Sequence, residues 1–242
     1  MKTKRSRAID LRRARSLLAR AKLHRTVPAR VEAISASLLG CRYEANGLDG
    51  SAETPEVFVA PLETFDCVTY VESVLALARA ADPAAFAEEL RQIRYDGGVV
   101  EWERRNHYMT DWARRSSKRR VTRPVAAEGL GVKKEKLLDA VPGLPPRKTS
   151  FWCVPKARFR AWAPRLANGD VVLFASTKPG LDVFHCGFLV LAAGELRLRH
   201  ASRSAGRVVE EGLAGFLGAN RMAGLVALRP LDRAEGAQRG AA

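Results

Sequence analysis

Three side chains in this sequence could act together as an acyl-transfer site: Cys67, His185 and His200. A thiol attacks only as its thiolate, so it needs a positive or dipolar partner, and an imidazole supplies both charge and a transferable proton. Cys67 lies in the run Phe65-Asp66-Cys67-Val68-Thr69-Tyr70-Val71-Glu72, at the head of an apolar pattern through Val68, Val71, Val74, Leu75 and Ala78 that has a helical period. With Asp66 as N-cap, Cys67 falls in the first helical turn, where free N–H groups and the macrodipole favour a thiolate. Thr69 with Glu72 offers a competing capping box that would leave the sulfur just outside the helix, still at its N-terminus.

A hairpin brings the histidines together. Ala193-Gly194 reads as a two-residue turn, which pairs Ala192 with Glu195, Val190 with Arg197 and Gly187 with His200. His185, Gly187, Leu189 and Leu191 then share a face with His200, Leu198 and Leu196, while Glu195, Arg197 and Arg199 point away. A one-residue slip would turn those charges onto the apolar face, so the pattern itself selects this register. His185 and His200 become diagonal neighbours within side-chain reach. A Cys on a helix followed in the chain by a His on a strand is the order of papain-like nucleophiles. The same trio could instead hold zinc, with Cys186 a poorer fourth ligand because it points off the shared face. Taken singly, each has a blander reading: an isolated Cys behaves as a small buried hydrophobe, and Cys41, Cys153 and Cys186 are read that way.

The elements that must position these groups divide the chain. Residues 8–40 read as helical, with an interrupted stripe of Leu11, Leu17, Leu18, Ala21, Val31, Ile34 and Leu38 that Pro28 breaks in two. Gly47, Gly50 and Pro55 mark a loop towards Phe65. After the Cys67 helix, Asp82-Pro83 opens another as N-cap and first helical residue, burying Phe86, Leu90 and Ile93. Residues 96–146, rich in charge and glycine, read as long loops with short helices. From residue 168 onward short β-rich runs follow at 170–175, 185–192, 195–200, 207–210 and 222–228. Helices first and a meandering antiparallel sheet second predict an α+β fold.

Composition bounds the possibilities. The 242 residues are 47% hydrophobic and 28% charged, which suits a packed globular chain. No apolar run approaches the roughly 20 residues of a membrane-spanning helix, so no integral membrane segment is expected. Four cysteines without a CxxC pair or a dense framework argue against a disulfide scaffold. The net charge is +15, of which +10 sits in residues 1–30: eleven Lys and Arg against Asp10. The chain is therefore read as a basic N-terminal arm (1–30), a catalytic domain (31–230) and a flexible tail (231–242). The arm is either a solvated basic helix or a weak contact for an anionic polymer. Near Met1 the longest apolar stretch is Leu17-Leu18-Ala19, too short for the core of an export signal, so a cytoplasmic location is expected, or a periplasmic one if the true start differs from Met1.

Several motifs in order carry a resemblance: FDCVTYVESVLALA (65–78), IRYDGG (93–98), RNHYMTDW (105–112), GDVVLFAS (169–176), GLDVFHCGF (180–188) and LRHAS (198–202). The sequence resembles the DUF1460 branch of the NlpC/P60 superfamily, N-acetylmuramoyl-L-alanine amidase-like cysteine hydrolases. The resemblance implies a papain-like NlpC/P60 fold with the nucleophile at a helix N-terminus packed on an antiparallel sheet, and no cofactor or metal. It places the catalytic positions on Cys67, His185 and His200, with Tyr43 loosely matching an oxyanion-binding tyrosine. Arg105, Asn106, His107 and Asp182 become candidates for substrate binding, although His107 could equally serve a structural hydrogen bond and Asp182 could simply cap a turn. The implied substrate is a muropeptide or peptidoglycan fragment, 1,6-anhydro forms in particular. Two other functions remain open on the residues alone: cleavage within the stem peptide, and non-catalytic binding of nucleic acid or an anionic polymer through the arm. No helix-turn-helix, zinc-finger or RNP signature supports sequence-specific nucleic-acid reading.

Overall fold

The computed structural model describes residues 9–232. Two N-terminal helices, α1 (Leu11–Ala21) and α2 (Val27–Ser37), are each started by a side-chain cap, Asp10 and Thr26. Pro28 sits in the first turn of α2, where its missing N–H costs nothing. Short strands β1 (Arg42–Tyr43) and β2 (Thr64–Phe65) then lead into α3 (Cys67–Arg79), followed by α4 (Pro83–Arg94) with Asp82 as its N-cap. As expected, α4 buries Phe86, Leu90 and Ile93.

Residues 96–146 are more ordered than the sequence reading has them. They contain α5 (Met109–Lys118), which buries Met109, Asp111, Trp112 and Ser116, and β3 (Thr122–Pro124). They also contain β4 (Val132–Leu138), which pairs antiparallel with β5 (Arg147–Cys153) from Val132 opposite Cys153 to Leu138 opposite Arg147. Lysines stand on both faces of β4, Lys133 on the exposed one and Lys134 and Lys136 on the half-buried one, so no apolar run announces a strand.

After a short helix α6 (Phe159–Trp162) come β6 (Val171–Ala175), β7 (Val183–Ala192), β8 (Glu195–Ser202), β9 (Arg207–Gly212), α7 (Leu213–Ala219) and β10 (Gly224–Pro230). The main sheet has the order β2-β1-β9-β8-β7-β6-β10-β3 and is antiparallel except for β1 with β2. The predicted hairpin register is present, with Ala192 opposite Glu195 and Val190 opposite Arg197. Ala193 and Gly194 both have left-handed backbone (φ 49° and 79°), the conformation a tight hairpin turn needs. The α+β expectation thus holds: helices α1 to α4 cover one face of a curled, largely antiparallel sheet.

That helical layer is built around α3, in which every residue from Thr69 to Arg79 is buried. A buried ion pair ties α3 to α4: Arg94 Nε donates to Glu72 at 2.7 Å, and Arg94 Nη1 donates to the Val59 carbonyl at 2.6 Å. The opposite face of the sheet carries a second core, where Phe174, Leu189, Leu198, Leu225 and Trp162 pack with Phe216 of α7.

Of the basic N-terminal segment, residues 1–8 lie outside the described residues. The remainder is integrated into the domain: α1 buries Ala14, Leu17, Leu18 and Ala21 in the main core, and Arg30 donates to the His24 and Ala78 carbonyls. At the other end residues 233–242 lie outside the described residues, whereas Asp232 accepts a hydrogen bond from Val27 N–H at 2.5 Å.

Candidate active site

Cys67 is the first residue of α3. Asp66 caps the helix by accepting from Thr69 N–H at 2.7 Å, and the Thr69 hydroxyl accepts from Asp66 N–H at 2.9 Å. Thr69 is therefore the reciprocal partner of the Asp66 cap, not the start of a later helix with Glu72. The Cys67 backbone N–H has no acceptor within the helix, as for every residue of a first turn.

Opposite lies the N-terminal end of β7, re-aimed by a bulge. Phe174 of β6 pairs with His185 and the next residue, Ala175, with Val183, so Phe184 is an extra residue on β7. Such a bulge turns the flanking side chains away from strict alternation. His185 then stands among aromatic rings, its own ring 6.1 Å from Phe174 and 5.6 Å from Phe216. His200, on β8, is buried and meets His185 edge-on with ring centroids 4.7 Å apart.

The histidines are linked directly: His185 Nε2 lies 2.5 Å from His200 Nδ1. His200 Nε2 lies 2.8 Å from a Glu211 carboxylate oxygen. The line of contacts thus runs Cys67, His185, His200, Glu211 across α3, β7, β8 and β9. The zinc alternative fits this poorly. A ligand nitrogen stands about 2.0–2.1 Å from zinc, and no ion fits between two ring nitrogens 2.5 Å apart. Among the described residues no group of three or more His, Cys, Asp or Glu is arranged to hold a metal ion.

Electrostatics divide the roles. Cys67 is held well below the ordinary thiol range, first by a hydrogen bond with the Cys186 thiol, against the opposing effect of burial, and then by hydrogen bonding with and the charge of His185. The Cys186 thiol is pushed well above that range, chiefly by the same hydrogen bond and then by burial. Cys186 Sγ also lies 3.2 Å from the Cys67 carbonyl oxygen, so this buried side chain lies directly against the first residue of α3. Burial first and the neighbouring His185 second push His200 below the ordinary imidazole value, which favours a neutral ring.

Tyr43 pairs with Phe65 in the β1–β2 bridge and so stands beside the start of α3. Its phenol is raised by burial and next by the Cys67 charge, which places it within electrostatic range of the sulfur. The four residues read as substrate contacts are engaged within the fold. Arg105 donates to Glu56 at 3.1 Å, and Asn106 donates to the Ile93 carbonyl at 3.0 Å. His107 meets the Trp102 carbonyl at 2.7 Å and packs against the Trp102 ring. Asp182 accepts from both the N–H and the hydroxyl of Thr110 and from Val183 N–H, each at 2.7 Å, which anchors the start of β7 to α5.

Sequence reasoning did not single out Glu211 or Phe216. Extending the hairpin logic one strand further would have reached Glu211, because Ser202 pairs with Arg207 and Leu198 with Glu211, on the His200 face. Phe216 gave no such signal, since Leu-Ala-Gly-Phe-Leu-Gly-Ala is poor in helix-defining features.

Comparison with known proteins places this arrangement. The chain matches the AmiA-like, N-acetylmuramoyl-L-alanine amidase-like family model over residues 33–225. No curated protein matches it. Among solved structures, an N-acetylmuramoyl-L-alanine amidase from Bacteroides uniformis superposes with a TM-score of 0.76 at 25% identity, covering 84% of this chain and 98% of that one. A Legionella pneumophila protein of the DUF1460 family gives a TM-score of 0.79 at 22% identity over 91% of this chain and 94% of its own, a likeness of fold. The chain therefore belongs to the AmiA-like, N-acetylmuramoyl-L-alanine amidase-like family of hydrolases.

Proposed function

We propose that the protein is a cysteine amidase of papain-like NlpC/P60 type that hydrolyses the bond between the muramic lactyl group and L-alanine in small muropeptides, 1,6-anhydro forms included. The observation that carries this reading is the thiol at the start of α3, held well below its ordinary range beside a histidine that is itself tied to a second histidine at 2.5 Å. Family membership supplies the bond; the geometry supplies a means of breaking it.

In this reading the Cys67 thiolate attacks the lactyl carbonyl carbon. The developing oxyanion is received by the Cys67 backbone N–H and the Tyr43 hydroxyl. Protonated His185 passes its proton to the departing L-alanine nitrogen as the C–N bond breaks, which leaves a thioester on Cys67 and releases the stem peptide. His185, now neutral, takes a proton from water, and the resulting hydroxide attacks the thioester. The products are the sugar lactyl carboxylate and the regenerated thiolate. His200 orients His185 throughout. Arg105, Asn106, His107 and Asp182 act as supports of the surrounding loops and of β7, through the hydrogen bonds described above.

Incubating a purified anhydro-muropeptide with wild type and with Cys67→Ala, followed by mass spectrometry, tests the proposal. Free stem peptide from wild type alone is the expected result. Cleavage inside the stem would instead make the protein an endopeptidase. Substrate left intact by the reduced wild type, together with salt-sensitive binding to an anionic polymer that survives Cys67→Ala, would favour a binding protein.

A further inference from the structure

We infer that Glu211 is a positioning residue at the far end of the relay, where its carboxylate fixes which nitrogen of His200 carries the proton and thereby lets His185 hold the catalytic one. The inference rests on the cysteine mechanism proposed above. It starts from two contacts on one ring: His200 Nδ1 faces His185 Nε2 at 2.5 Å and His200 Nε2 faces Glu211 at 2.8 Å. A carboxylate only accepts, so the proton of a neutral His200 must sit on Nε2. Its Nδ1 is then a bare acceptor, and the only partner that suits it is an N–H on His185 Nε2. When His185 is an imidazolium, that N–H is present and the other ring nitrogen still carries the proton destined for the leaving amine.

Without the carboxylate, His200 is free to adopt the other tautomer. An Nδ1–H would then confront the Nε2–H of protonated His185, donor against donor, at a separation that tolerates only one hydrogen. The cost would fall on the charged form of His185, the form that stabilises the thiolate and protonates the amine. The groups facing this ring are few. They are His185 on β7, Glu211 on β9 and, beyond His185, Cys67 on α3, while α7 contributes Phe216 and no titratable side chain. Glu210, the next residue, points to the other face of β9 and pairs with Arg197 and Arg199 at 2.7 and 2.6 Å. The two adjacent carboxylates therefore serve different partners. The Glu211 side chain is 44% exposed, so its substitution leaves no buried group unpaired except His200 Nε2.

The test combines substrate-free and substrate-dependent readouts on the full chain. In the wild type labelled with 15N-histidine, NMR should find the His200 proton on Nε2, and in Glu211→Ala the Nδ1–H tautomer should become populated. Glu211→Ala should lower kcat about ten- to a hundredfold with little change in KM, and the alkaline limb of the kcat/KM profile should move to lower pH. Glu211→Gln keeps an acceptor oxygen without the charge and should fall between. Glu210→Gln removes the same charge one residue away and should leave that limb in place. An unchanged tautomer and an unchanged alkaline limb in Glu211→Ala would overturn the inference, as would an Nδ1–H on His200 in the wild type. Failure of the mechanism itself would look different, because Cys67→Ala would then still cleave substrate while the His200 tautomer kept its dependence on Glu211.

Discussion

At the residue scale, the nucleophilic role proposed for Cys67 rests on where its sulfur sits. A helix N-terminus, the Cys186 thiol and His185 all favour the thiolate, and together they outweigh a partial burial that opposes it. A folded-state thiol held below its ordinary range keeps its anion as pH falls. Cys67 should therefore be alkylated rapidly by iodoacetamide at a pH well below the ordinary thiol range, while Cys41 and Cys153, raised by burial, should not. Peptide mapping by mass spectrometry reads this directly, and equal labelling of all three would contradict it. Cys186→Ala removes the foremost of the stabilising contacts, so the pH at which Cys67 becomes half-labelled should rise. Cys186→Ser, which keeps a donor, should shift it less. The position of Cys67 could be read from sequence because capping is local: Asp66 and Thr69 lie within three residues of each other. The Cys186 contact could not, because it joins residues far apart in the chain and depends on how α3 lies across β7.

At the element scale, the site depends on a hairpin register and one bulge. The register was readable because charges and leucines alternate along β8 and a slip would have buried Arg197 and Arg199 against the second core. The bulge at Phe184 was not, because periodicity describes a regular strand and says nothing of one extra residue. Gly187 sits in the crossing between the two histidines. A Cβ there would lie 2.8 Å from the Arg199 carbonyl oxygen and 2.9 Å from His200 Cβ, so β7 and β8 would have to part. Gly187→Ala should cost most of the activity, roughly a hundredfold for an ångström of misplacement, and assay alongside circular dichroism separates this from unfolding. Retained activity would mean that the histidine spacing is less critical than described. The Glu72–Arg94 pair is a second element-scale dependence. Removing either partner leaves a buried charge, and Arg94→Ala should cost about 3–5 kcal/mol in chemical denaturation. Replacing both with apolar residues of similar volume should cost far less. The β4–β5 ribbon escaped sequence reading for a physical reason, since a strand with lysines on its half-buried face as well as its exposed one leaves no hydrophobic alternation to detect.

At the scale of the whole molecule, the helical layer and the sheet hold Cys67 and the histidines from opposite sides, so stability and catalysis share one frame. The N-terminal segment belongs to that frame from α1 onward, although its charge alone suggests an appendage. Leu17→Ala should accordingly lower stability by about 2–5 kcal/mol in a urea titration, as for other buried leucines. A negligible change would make α1 dispensable. The central claim is that Cys67 carries the lactyl half of the substrate as a thioester. It is tested most directly by acid-quenching wild type during turnover of an anhydro-muropeptide and weighing the peptide that contains Cys67. The account predicts an added mass equal to the sugar with its lactyl acyl group, absent in Cys67→Ala. A stem-peptide acyl group on Cys67, or rapid turnover with no adduct at any quench time, would contradict it.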